Sequence, residues 1–140
     1  MSARILVVDD LEANRRLLEA KLTADYYEVL MAQRGEEAVQ LAKRERPDLI
    51  LLDVMMPGGI DGYEACRRLK AMPETRHIPV VILTTLDDRG NKVRGLQAGA
   101  EEFLTKPIDD IQLMARVKSL LSLKVVTDEL RAREANGRRL

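Results

Sequence analysis

The sequence predicts an α/β protein built on a doubly wound parallel sheet. Short apolar runs alternate with longer segments of helical periodicity, and this unit recurs five times along 140 residues. The runs are too short and too continuously apolar for edge hairpins, which favours parallel strands covered on both faces. Right-handed crossovers would then place helices on both sides of one sheet, and the length of the chain suits one domain.

Each predicted strand is a short apolar run bounded by polar or turn-forming residues. The second strand is the weakest of them, because its apolar residues alternate and it begins with a glutamate. The five runs cover residues 5–8, 28–31, 49–52, 79–83 and 103–105.

Each predicted helix has apolar residues spaced so that one face can pack on the sheet. Asp109 can cap the last helix. In helix order, the residues expected on these faces are Leu11, Leu17, Leu18 and Leu22; Ala38, Leu41 and Ala42; Cys66 and Leu69; Val93 and Leu96; and Ile111, Met114, Val117 and Leu121.

The composition argues against several classes of function. The chain has 23 basic and 23 acidic residues, three tyrosines, one phenylalanine and no tryptophan, so we expect no direct binding of nucleic acid. One cysteine and one histidine leave little for a disulfide, a zinc cluster or histidine catalysis. We find no apolar run that could span a membrane and no signal peptide, and we expect a cytoplasmic protein.

Polar residues stand where four of the predicted strands end. Because the carboxyl ends of parallel strands meet at one edge of the sheet, these side chains should lie together. Crowded carboxylates repel one another unless a cation intervenes, and a cluster of oxygen ligands suits Mg²⁺. The strand-end residues are Asp9 and Asp10, Asp53, Thr84 and Thr85, and Lys106.

A site with Mg²⁺, a lysine and a hydroxyl is suited to stabilising a phosphoryl group. The Asp53 carboxylate can act as a nucleophile and form an aspartyl phosphate. Each of these residues alone has a simpler explanation, such as a turn, a helix cap or an exposed lysine. The occurrence of all of them at neighbouring strand ends is what predicts the site.

These residues and their flanking motifs resemble the receiver domain of two-component response regulators. The resemblance covers residues 4 to about 123 and implies a sheet with strand order 2-1-3-4-5 and helices on both faces. It also implies a switch that takes a phosphoryl group from a histidine kinase or a phosphotransfer protein, and that is not itself an enzyme. The motifs are ILVVDD, PDLILLDVMMPG, DGYEACRRLK, IPVVILTT and GLQAGAEEFLTKP.

The resemblance also implies a role for each site residue. Asp53 corresponds to the phosphoacceptor, Thr84 to the hydroxyl that moves onto the phosphoryl group, and Lys106 to its ion-pair partner. Phe103 corresponds to the aromatic switch residue. Asp10 would bind Mg²⁺ directly, Asp9 mostly through water, and the backbone carbonyl of Met55 would be a further ligand. Phosphorylation would favour a homodimer.

The chain is similar in particular to the first receiver of PleD-type regulators, which also carry a second receiver-like domain and a diguanylate cyclase domain. That likeness predicts a receiver domain over residues 1–123 and cyclic-di-GMP synthesis by a longer parent protein. Residues 124–140 would be a helical extension or linker towards a further domain or a dimer partner. The alternative for this segment is a frayed, solvated end.

The chain departs from the receiver pattern at two positions. The loop over residues 57–62 has one residue more than usual and contains Gly58 and Gly59, which leaves the path of the chain after Met55 open. Thr85 stands where the family usually has Ala or Gly, and its bulk would hinder water or small phosphodonors. Neither departure removes a residue of the predicted site.

Three other functions could use the same fold or the same strand-end residues. A phosphatase of the haloacid-dehalogenase type needs a second Asp two residues after the nucleophile, where this chain has Met55. A flavin or nucleotide module of the same fold needs a phosphate-binding loop after the first strand, where Asp9 and Asp10 would repel a phosphate. A degenerate receiver that acts only as a scaffold would not be expected to keep the complete acidic set and Lys106.

Overall fold

Five parallel strands form a single sheet in a computed structural model, which describes residues 2–85 and 89–137. The order is β2-β1-β3-β4-β5, so the predicted topology is confirmed. The strands are β1 (Arg4–Val8), β2 (Glu28–Ala32), β3 (Leu49–Asp53), β4 (Val80–Thr84) and β5 (Glu102–Thr105).

A helix follows each strand, as the alternating pattern predicts. None of the helices among the described residues is long and apolar enough to cross a membrane. The helices are α1 (Glu12–Ala24), α2 (Gly35–Glu45), α3 (Gly62–Ala71), α4 (Arg89–Ala98) and α5 (Asp110–Gly137).

Successive strand residues point to opposite faces of the sheet, and this alternation divides the core into two layers. On one face Leu6, Ile50 and Ile82 pack with residues of α2, α3 and α4. On the other face Val7 and Leu51 belong to a second cluster, together with residues of α1 and α5. Covering both faces explains why the strands are continuously apolar.

Some of the predicted helix faces are only partly correct. Leu18 and Leu22 are buried, but Leu11 and Leu17 are exposed at the surface of α1. In α5 Leu113 and Val117 are buried, whereas Ile111 is 80% exposed. Two positions along a helix correspond to a rotation of about 200°, so Ile111 faces away from the sheet when Leu113 faces it.

The predicted apolar residues of α4 are also exposed. Val93 and Leu96 lie at the surface, while Gly95 and Ala98 are buried. The ring of Phe103 occupies the space where a side chain at position 95 would stand, so α4 approaches β5 through a glycine. Cys66 is buried as predicted, and burial raises the pKa of its thiol to about 11.

The last helix begins where it was predicted and continues without a break past residue 123. The Asp109 carboxylate accepts a hydrogen bond from the amide of Ile111 at 3.1 Å. Further along, Lys124 pairs with Asp128 at 2.6 Å and lies 3.9 Å from Asp48, just before β3. The extended helix is therefore confirmed through Gly137. Residues 138–140 lie outside the described part of the chain, and the domain division at residue 123 stays a prediction.

The corrected face of α5 can be tested with two truncations on the same helix. Leu113→Ala should lower the free energy of unfolding by about 2–5 kcal/mol, because it leaves a cavity in the core. Ile111→Ala should change it by less than about 0.5 kcal/mol, because the side chain is already in solvent. Urea unfolding measures both. Equal losses in the two variants would contradict the assigned face.

Candidate functional site

Three carboxylates meet at the carboxyl edge of the sheet. Asp53 is the last residue of β3, and Asp9 and Asp10 follow β1, which is hydrogen-bonded to β3. One oxygen from each side chain lies within 4.8 Å of the others. Among the described residues this is the only group of three or more His, Cys, Asp or Glu side chains so arranged. All the ligands are oxygens, and this acidic cluster is consistent with the Mg²⁺ site of receiver domains.

The two neighbouring aspartates have different surroundings. Asp9 is fully buried, and its Oδ1 accepts a hydrogen bond from the Leu11 amide at 2.9 Å. Its Oδ2 accepts a hydrogen bond from the Asn14 side chain at 3.2 Å. Asp10 is half-buried, and no residue in the described part of the chain donates a hydrogen bond to its carboxylate. Asp9 is thus held by the protein, while the oxygens of Asp10 remain available to a cation.

Lys106 supplies the positive charge of the site, as its position after β5 predicted. Its ammonium lies 3.2 Å from Oδ1 of Asp53 and 3.5 Å from Oδ2 of Asp9. The Lys106 amide also donates to the Thr84 carbonyl at 2.6 Å, which ties the end of β5 to the end of β4. The peptide bond from Lys106 to Pro107 is cis.

The Lys106 ammonium faces three carboxylates, and Asp53 is also buried. Burial raises the pKa of Asp53 above its ordinary value. Lys106 opposes this rise and Asp9 adds to it. Ionisation of Asp53 is therefore less favourable in the folded protein than in the free side chain, and a divalent cation at this edge would favour the ionised carboxylate.

The predicted switch residues lie on β4 and β5. Thr84 ends β4, is buried, and pairs in register with Thr105. Phe103 is half-buried and packs against the core beside Gly95 of α4. Thr85 is exposed, and with Thr84 it lines a cavity of about 360 Å³ next to the acidic cluster.

A backbone amide joins the segment after Asp53 to the acidic cluster. The Met55 amide donates to Oδ1 of Asp53 at 3.3 Å, and the Met55 side chain is 65% exposed. At the end of the segment the Gly62 amide donates to the Val54 carbonyl at 3.1 Å. A side chain at position 62 would clash with the carbonyl oxygen of Asp53, so this closure requires glycine.

Sequence reasoning missed two supporting residues on α1. The Arg15 guanidinium is buried and donates to the Asp9 carbonyl at 2.7 Å, and Asn14 donates to the Asp9 carboxylate. Arg15 stands at a position of the helix that was expected to face the sheet, and a polar residue there could have indicated its role. The contact of Asn14 depends on how the first turn of α1 sits over β1, which periodicity does not give.

Comparison with known proteins agrees with this geometry. The family model "Response regulator receiver domain" matches residues 5–118. Response regulator PleD of Caulobacter vibrioides is 65% identical over all 140 residues, and the chain spans 31% of its length.

Solved structures agree as well. A response regulator from Chloroflexus aurantiacus superposes with a TM-score of 0.83 at 38% identity, over 87% of this chain and 99% of that one. The receiver domain of a Pseudomonas aeruginosa sensor histidine kinase superposes with a TM-score of 0.80 at 33% identity, with the same coverage. That structure holds a magnesium ion in its active site cleft. By motif, fold and acidic cluster, the chain belongs to the response regulator receiver domains of two-component signalling.

Proposed function

We propose that this chain is a phosphorylation-dependent switch in which Asp53 accepts a phosphoryl group from a histidine kinase or a phosphotransfer protein. The observation that carries the proposal is the joint placement of three carboxylate oxygens within 4.8 Å and the Lys106 ammonium 3.2 Å from Asp53. Receiver domains accept phosphoryl groups from histidine kinases. A kinase partner in the cell interior would place the chain in the cytoplasm.

Each group of the site has a role in the transfer. Asp10, Asp53 and the Met55 carbonyl would hold Mg²⁺, and Asp9 would hold it mostly through water. Bound Mg²⁺ would supply positive charge to the phosphoryl oxygens. An Asp53 carboxylate oxygen forms the new bond to phosphorus while the bond from phosphorus to the donor nitrogen breaks. Lys106 then pairs with the negative charge that the modification adds.

The signal would leave the site through β4 and β5. The phosphoryl oxygens offer an acceptor to the Thr84 hydroxyl, and its inward movement frees space that Phe103 can fill. Phe103 packs beside Gly95, so its movement would shift the surface formed by α4 and β5. The exposed side chains of Val93 and Leu96 on α4 make this surface suited to a phosphorylation-dependent homodimer.

We propose that the signal controls an output domain in a longer protein. The likeness to PleD supports cyclic-di-GMP synthesis as that output, but the chain spans only 31% of PleD. The switch itself would need no enzymatic activity beyond its own phosphorylation and dephosphorylation. Met55 two residues after Asp53 argues against a phosphatase that turns over external phosphoesters, because the second aspartate is lacking at that position.

The assigned phosphoacceptor can be tested by labelling. Incubation of the wild-type protein with acetyl phosphate and Mg²⁺ should add one phosphoryl group, detected as an intact-mass shift. Asp53→Asn should abolish that shift, because an amide cannot form the acyl phosphate. Asp25→Asn, at the end of α1 and paired with Lys118, is the matched control and should label like the wild type. Labelling of Asp53→Asn at the wild-type rate would place the acceptor elsewhere.

The pKa of Asp53 predicts the pH dependence of stability without metal. The folded state binds this proton more tightly than the unfolded state, so raising the pH from the ordinary value of 3.8 through the raised value lowers the free energy of unfolding. Asp53→Asn should remove this decline. Mg²⁺ should restore stability to the wild type above the raised pKa by binding the folded state. Urea unfolding in chelator and in Mg²⁺ across this range checks both effects. Identical pH profiles of the wild type and Asp53→Asn in chelator would contradict the raised pKa of Asp53.

A further inference from the structure

The loop between β3 and α3, residues 54–61, carries one residue more than the receiver pattern. The loop closes at its base, where the Gly62 amide donates to the Val54 carbonyl and Met56 is buried in the core, while the Met55 side chain between them is exposed. The extra length therefore lies at the tip. There Gly58 has a φ of +92°, and a side chain added to it would meet no atom within 4 Å. Because the space beside Gly58 is open, contacts at this residue do not fix the position of the tip.

The tip rests instead on the first turn of α2. Glu36 Oε1 accepts a hydrogen bond from the Ile60 amide at 3.0 Å. A Cβ atom on Gly35 would stand 2.6 Å from Cγ1 of Ile60, and one on Gly59 would stand 2.7 Å from Oε2 of Glu36. Both glycines thus allow a contact that a side chain would prevent. The Ile60 side chain completes the contact by packing against the core.

The surroundings of Glu36 favour the ionised form of its carboxylate. The hydrogen bond from Ile60 is the main cause that lowers the pKa of Glu36, so the carboxylate is ionised and the bond is charge-assisted. Glu36 also lies in the first turn of α2, where the helix dipole favours negative charge. The helix end and the loop amide therefore stabilise the same ionised group.

We propose that Glu36, with Gly35, is a positioning residue for the magnesium site. It fixes the tip of the extended loop and, through the loop, the Met55 carbonyl that would bind the cation. This inference rests on the proposed function, since it assigns Met55 to the Mg²⁺ site. Glu36 itself lies outside the acidic cluster and contacts no group of it. The hydrogen bond from the Ile60 amide thus joins the lengthened loop to the glutamate on α2.

The test compares two glutamates of the same helical turn by calorimetric titration with Mg²⁺. Glu36→Ala should raise the dissociation constant about tenfold, the lower range for groups that orient metal ligands. Glu37→Ala is the matched control. It removes the same charge and breaks a backbone hydrogen bond of the same 3.0 Å length, but to Gln33 and not to the loop. Its affinity should stay within about twofold of the wild type. Glu36→Gln keeps an acceptor for Ile60 and should recover most of the affinity.

A second readout does not depend on the metal. In the wild type without Mg²⁺, the Ile60 amide should exchange slowly with deuterium, and Glu36→Ala should speed this exchange while Glu37→Ala leaves it unchanged. Equal Mg²⁺ affinities for Glu36→Ala and Glu37→Ala, in a wild type that binds Mg²⁺, would overturn the inference and leave the proposed function standing. A wild type that binds Mg²⁺ no better than Asp10→Asn would overturn the proposed function itself.

Discussion

The repulsion among three carboxylates that share one edge of the sheet is the constraint on which the rest of the structure depends. Their oxygens lie within 4.8 Å, and only the Lys106 ammonium offsets them at short range among the described residues. Donors at the start of α1 hold Asp9, whereas no donor to the Asp10 carboxylate lies among the described residues, so Lys106 offsets only part of the negative charge. Burial raises the pKa of Asp53, the nearby Asp9 carboxylate adds to the rise, and Lys106 opposes it. A site in this state favours a divalent cation, and the cation prepares it for a phosphoryl group.

The order of the strands in the sheet brings the charged groups together. Right-handed crossovers place β1, β3 and β4 side by side, so that Asp9, Asp53 and Thr84 end at one edge although they are far apart in sequence. The two apolar layers make that edge rigid, because every central strand is buried on both faces. The parts of the molecule that could respond are Phe103 on β5, which β4 separates from Asp53 on β3, and the exposed face of α4.

Much of the site was predictable because it follows from local rules. An apolar run that stops at Asp9, Asp53 or Lys106 marks a strand end, and parallel strands bring such ends together. The individual roles came from the family resemblance and not from periodicity. The exposure of Ile111 was missed because spacing alone does not say which helix face meets the sheet. The contacts of Asn14 and Glu36 were missed because they join elements whose relative positions only packing determines.

The central claim is that the acidic cluster and Lys106 together receive a phosphoryl group on Asp53. A crystal structure with Mg²⁺ and beryllium fluoride, which mimics the phosphoryl group, tests it most directly. We expect the fluoride adduct on Asp53, with the Lys106 ammonium against it. We expect Mg²⁺ to contact Asp10, Asp53 and the Met55 carbonyl. A structure with the Lys106 ammonium turned into solvent, or with Mg²⁺ bound away from Asp10 and Asp53, would contradict it.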